Sequence, residues 1–142
     1  MQRILLTFFV ASLSFCFIGC GGHGTVPVSI TITQNGTPLA GVTVTAISSD
    51  GKGNSTSGMT NVSGVAVLET TQGWNGAFPG EYNVAVSMWE GYLVPSPSAE
   101  YPNATTTEQR NVLPAKYGEH STSGFTLTIG NRATTMTFNL EE

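Results

Sequence analysis

Two histidines, His23 and His120, and two cysteines, Cys16 and Cys20, are the side chains best suited to nucleophilic or metal chemistry in this 142-residue chain. Serines are plentiful, but a serine becomes a nucleophile only beside a base, and His120 is the one histidine placed to serve. No Gly-x-Ser-x-Gly elbow occurs. Glu119 precedes His120, yet adjacent polar residues in a loop are usually just solvated. The nine carboxylates are dispersed without the spacing of a calcium loop, and Gly51-Lys52-Gly53 precedes no helical pattern that would make a phosphate cradle. These residues predict no catalytic site, no metal and no cofactor.

The aromatic rings offer more. Trp74, Phe78, Trp89, Tyr92, Tyr101 and Tyr117 fall mostly between regular segments. Flat rings exposed at one end of a domain can stack on sugars or dock a protein, which makes Trp74, Trp89, Tyr92, Tyr101 and Tyr117 a candidate binding surface. The competing reading, which the sequence favours, is structural: Trp89 caps the open end of the core and Tyr117 pins a long loop.

The elements that position these rings follow a period of two. Val28, Ile30 and Ile32 alternate with Ser29, Thr31 and Thr33, and Asn35-Gly36 then suits a tight turn. Val42, Val44 and Ala46 alternate with Thr43, Thr45 and Ile47, a strand expected to be covered on both faces. Met59-Thr60 and Val65 to Thr70 make the third and fourth strands. Pro79-Gly80 leads into a fifth, with Tyr82, Val84 and Val86 inward. Phe125, Leu127 and Ile129 mark the sixth, and Met136, Phe138 and Leu140 the last. The prediction is all-β: a seven-stranded antiparallel sandwich of two sheets, prealbumin-like or Ig-like. Met88 to Ser123 is expected to be one long irregular stretch, the best place for a site because long loops in compact domains are often functional.

Composition agrees. Only 10% of residues are charged, which suits β-strands with polar, uncharged outer faces. Net charge is −4, and five basic residues cannot build the cationic stripe that phosphate backbones require, so nucleic acid is not an expected partner.

The N-terminus reads as an address rather than structure. Met1-Gln2-Arg3 supplies a short positive region, and Ile4 to Ile18 is an apolar run too short for the roughly 20 residues of a membrane-spanning helix. The run closes with Phe17-Ile18-Gly19-Cys20, which resembles the lipobox of bacterial lipoproteins, with Phe17 where leucine is usual. The resemblance implies a signal peptide over 1–19, a diacylglyceryl group on the Cys20 thiol and a membrane partner through that lipidated N-terminus. Cys16 is the weaker candidate because bulky Phe15 precedes it. Gly21 after the cysteine resembles lipoproteins sent on to an outer membrane, facing the periplasm or the cell surface. Each buried methylene of an acyl chain contributes about 0.8 kcal/mol, so two or three chains anchor firmly. Removing 19 residues from 142 leaves 123, one domain's worth, with a single cysteine and so no intrachain disulfide. Residues 20–25 form a short Gly-rich tether in which His23 is expected to be solvated, and 26–142 form the sandwich.

Four segments carry a second resemblance. Asn35-Gly36-Thr37-Pro38-Leu39-Ala40-Gly41-Val42, Thr60-Asn61-Val62-Ser63-Gly64-Val65, Pro79-Gly80-Glu81-Tyr82-Asn83-Val84 and Leu113-Pro114-Ala115-Lys116-Tyr117-Gly118 resemble successive motifs of carboxypeptidase regulatory-like domains in small bacterial lipoproteins. With Thr122-Ser123-Gly124-Phe125 they are spread in order through 26–140. The resemblance implies a transthyretin-like sandwich, a cell-envelope setting, and a structural or binding module that partners an envelope protein or a glycan. Residues that serve chemistry in relatives of that fold do not recur. The Tyr-Arg-Gly-Ser ending of hydroxyisourate hydrolases is replaced by Asn139-Leu140-Glu141-Glu142. The two tyrosines and two histidines of intradiol dioxygenases reduce here to Tyr117 and His120, since His23 lies in the tether.

Overall fold

The computed structural model describes residues 23–96 and 100–141. Among them the only helical element is a single 3-10 turn, Ala115–Gly118, and eleven strand segments make up the rest of the regular structure. In the first sheet β1 (Val28–Gln34) is central, with β11 (Thr134–Leu140) on one edge and β2 (Thr37–Pro38) and β5 (Val65–Val67) sharing the other. The second sheet runs β10 (Phe125–Ile129), β7 (Gly80–Ser87), β3 (Thr43–Ser48), β4 (Ser55–Met59) and β6 (Glu69–Thr70), every pair antiparallel. Among the described residues β8 (Trp89–Pro95) and β9 (Thr105–Asn111) pair only with each other.

The alternation in the sequence is what the core uses. Val28, Ile30 and Ile32 of β1 have no exposure, while Ser29, Thr31 and Thr33 are half-buried. Opposite them, Val44 and Ala46 of β3 and Tyr82, Val84 and Val86 of β7 close the interior, joined by Leu127, Ile129, Phe138 and Leu140. Each fully buried Val, Ile or Leu contributes about 1.5–3 kcal/mol. At one end a file of rings extends the core: Tyr117 stacks on Phe125 at 5.1 Å and Phe125 on Phe138 at 4.5 Å between centroids. The buried Tyr117 hydroxyl donates to the Glu141 carbonyl (3.3 Å) and accepts from the Glu141 amide (2.9 Å), so a ring this deep is not left with an unpaired oxygen.

Four expectations change in detail. The sandwich is not wholly antiparallel, because β1 and β11 pair in parallel over seven residues, Val28 with Thr134 through Gln34 with Leu140. The turn after β10 carries the chain across to the other sheet instead of doubling it back on itself, and so β11 returns alongside β1. The expected fourth strand, Val65 to Thr70, is two short segments: β5 pairs β1, and after Leu68 the chain crosses to pair β6 with β4. β3 is covered on one face only, since Ile47 is 40% exposed. Lastly, Met88 to Ser123 is not irregular; most of it is the β8–β9 ribbon and the 3-10 turn.

The registers also fix two poles. Val26 bridges Ala77, Val28 pairs Thr134, Gly80 pairs Ile129 and Ser48 pairs Tyr82, so segment 23–27 gathers with loops 49–54, 71–79 and 130–133. At the opposite pole Thr43 pairs both Ser87 and Met59, and Gln34 pairs Leu140. The Asn35-Gly36 turn lies there, with φ of 49° and 80° as its residue types anticipated, and the ribbon leaves from Ser87.

Gly76 shows how tightly the first pole is closed. Its φ is 88°, and a Cβ there would run into the carbonyl of Val26, the residue that follows the tether. Gly73, with φ of 78°, has open space around its Cβ position. We expect Gly73→Ala to cost about 1 kcal/mol from left-handed strain alone. Gly76→Ala should cost at least about 3 kcal/mol, because backbone must also move. Paired urea melts check this, and equal midpoints for the two variants would contradict the packing described.

Candidate functional site

β7 and β8 are separated by a single residue, Met88, so the chain leaves the sandwich almost as one continuous strand. Two groups hold the stem. The Asn111 Oδ1 accepts from the amides of Met88 (3.0 Å) and Leu113 (3.2 Å), and the Val112 amide donates to the Met88 carbonyl (2.9 Å). Beyond the fork, Leu113 and Tyr117 are buried in the core and root the returning chain.

Beyond the stem no residue of β8 or β9 is buried. Directly paired residues share a face, so Trp89, Gly91, Leu93 and Pro95 lie with Asn111, Gln109, Thr107 and Thr105 on one side. That side carries no ionisable group. Trp89 is 58% exposed and Leu93 71%, and the Trp89 indole N–H donates to the Ser87 Oγ (3.2 Å), which leaves the ring face open and its polar edge satisfied. At Gly91 a Cβ would sit 3.0 Å from the Thr107 Cγ2, so the Thr107 methyl group lies against the glycine between Trp89 and Leu93.

The other side is charged. Glu90, Tyr92 and Val94 pair with Arg110, Glu108 and Thr106. The Tyr92 hydroxyl donates to the Glu108 Oε2 (3.0 Å), and the Arg110 guanidinium lies 5.4 Å from the Tyr92 ring centroid. The hydrogen bond to Glu108, reinforced by its charge, pushes the Tyr92 phenol above its ordinary range, with Arg110 opposing. Near the tip, Glu100, Tyr101, Pro102, Asn103 and Ala104 line an open hollow of about 410 Å³.

The five candidate rings therefore do not form one surface. Trp89, Tyr92 and Tyr101 belong to the ribbon, but Trp89 and Tyr92 face opposite ways. Tyr117 is only 4% exposed, which is the pinning role and not a binding one. Trp89 does not cap the core; Met88 packs there instead, because β8 turns the next side chain outward. Trp74 lies at the other pole, half-buried, with its ring stacked 4.1 Å from that of His23 and edge-on to Phe78. His23 is thus exposed but docked, a contact that no local pattern announces. Cys20 lies outside the described residues.

The groups weighed for catalysis are placed apart. The His120 Nε2 is buried without a hydrogen-bond partner, so the exposed Glu119 carboxylate does not reach it. Ser123, the nearby buried serine, donates its hydroxyl to the Val84 carbonyl. Among the described residues no three His, Cys, Asp or Glu side chains gather as metal ligands. Sequence reasoning missed Asn111 and Leu93; Leu113-Pro114, in the motif after the ribbon, marked where the chain re-enters the core.

Comparison with known protein families and with curated proteins finds no match to this chain.

Asn111→Ala should remove the acceptor that holds the stem, lowering the protection of the Met88 and Leu113 amides in hydrogen exchange by about 1–3 kcal/mol. Asn111→Asp keeps the acceptor and should restore most of it. For Tyr92, the raised ionisation means that the bond to Glu108 is intact below the ordinary value of 10.0 and is lost as pH rises through the higher folded value. Glu108→Gln should move Tyr92 ionisation downward in an NMR titration, and an unchanged titration would refute the pairing.

Proposed function

We propose that the chain is a non-enzymatic cell-envelope lipoprotein, anchored through Cys20, whose sandwich holds out the β8–β9 ribbon as a recognition arm. One observation carries the reading: an ordered ribbon without a buried side chain, at the pole opposite the tether. A two-stranded ribbon alone is marginal in water, so a fold that maintains one uncovered spends stability on exposing it.

The uncharged side sets the ligand class. A flat indole with its N–H already satisfied offers its face to the apolar side of a sugar ring, while Thr105, Thr107 and Gln109 supply neutral hydroxyl and amide partners. A neutral envelope glycan fits that chemistry. The alternative partner is an envelope protein, favoured by the outer edges of β8 and β9, which are unpaired among the described residues and can accept an added strand.

Palmitate labelling in a bacterial host tests the anchor: incorporation into the wild-type chain and none into Cys20→Ala is the expected result. Glycan-array binding tests the arm. Trp89→Ala should weaken any bound glycan at least about tenfold, the loss expected on removing a central ring. Tyr117→Phe should leave the binding unchanged. Binding that survives Trp89→Ala and Leu93→Thr together would remove the ribbon from the proposal.

A further inference from the structure

We infer that the pole carrying Trp74 and His23 is a membrane-contacting surface, seated against the phospholipid headgroups while the ribbon points away. The inference rests on the acylation of Cys20 proposed above and adds which face of the domain meets the bilayer.

The first support is reach. His23 is three positions after Cys20, a span of at most about 11 Å even fully extended. His23 is not a loose end, because its ring stacks on Trp74 at 4.1 Å. Behind it the Val26 amide donates to the Ala77 carbonyl (2.9 Å) and the Ala77 amide to the Val26 carbonyl (3.0 Å). A lipid on Cys20 therefore pulls on a fixed point of the domain, and that point lies beside Trp74. An indole half-buried at such a place has the amphipathic character that suits the headgroup layer.

The second support is charge. The half around the tether holds Asp50, Glu69 and Glu81 against Lys52 and Arg132, with Lys52 ion-paired to Asp50 at 3.4 Å. The ribbon half holds Glu90, Glu100, Glu108, Glu119 and Glu141 against Arg110 and Lys116. The tether half is thus −1 and the ribbon half −3 among the described residues. An anionic bilayer repels the second more strongly and orients the domain with its less negative end inward.

The chain has two tryptophans, and they mark the two poles. Strand β7 alone separates their levels by roughly 23 Å at the usual rise per residue. The full chain, expressed and processed in a bacterial host, is reconstituted into phosphatidylcholine–phosphatidylglycerol vesicles with and without a nitroxide on the choline headgroup. Trp89→Phe leaves only Trp74, whose emission should be strongly quenched by the label, as expected for a ring within reach of the acylated cysteine. Trp74→Phe leaves only Trp89, whose emission should be nearly unaffected. Equal quenching of the two, or stronger quenching of Trp89, overturns the inference. Flotation tests the anchor separately from the membrane-facing pole. Wild-type protein that fails to float with vesicles, or a Cys20→Ala chain that floats as well, overturns the anchor and the inference with it. A chain that floats through Cys20 but keeps Trp74 bright overturns the membrane-facing pole alone.

Discussion

β1 is held on both edges and on one face, and the rest of the molecule is arranged by that burial. Its inward side chains, Val28, Ile30 and Ile32, have no exposure, and its seven residues pair in unbroken register with β11. A slip of one residue would send those three into water and bring Ser29, Thr31 and Thr33 into the interior, so the register has no neighbouring alternative. Because β1 begins at Val28, the residues before it must meet the loop that precedes β7, and Val26 pairs with Ala77. The first pole is a consequence of where β1 starts. The second follows from β7, which runs the full height of the other sheet and delivers Ser87 to the far end.

The strands with one oily face were legible in the sequence. β1, β3, β7, β10 and β11 each declare themselves by alternation, and the residues expected inward in β1, β7 and β10 are buried or partly so. Other features were hidden for physical reasons. Leu68 sits where the chain changes sheets, and a crossing of that kind leaves the apolar rhythm unchanged. The parallel pairing of β1 and β11 depends on the turn at 130–133 crossing between layers, which side-chain periodicity does not encode. The ribbon was invisible because β9 reads Thr-Thr-Thr-Glu-Gln-Arg-Asn, polar on both sides. Alternation reports burial on one face only, and a strand with neither face covered has none to report.

The same logic explains why the rings looked like one surface in sequence and are several in space. Trp89 and Tyr92 are three positions apart along a strand, an odd offset, so the pleat sends them to opposite sides. Tyr117 is drawn inward by Phe125 and by the Glu141 backbone, and Trp74 is claimed by the tether. What remains on the ribbon is an uncharged strip on one side and a Glu–Tyr–Arg cluster on the other. The first is suited to a neutral ligand. The second gives the hairpin cross-strand cohesion that burial does not supply.

The tether and the ribbon occupy opposite ends of the sandwich. Pulsed electron resonance between nitroxides placed at Gln72 and Thr107, in a cysteine-free background, measures it directly. A single distance above about 30 Å is expected, from the rise of β7 and the first half of β8. A dominant distance below about 20 Å, or a distribution spanning both, would mean that the ribbon folds back on the body and would contradict it.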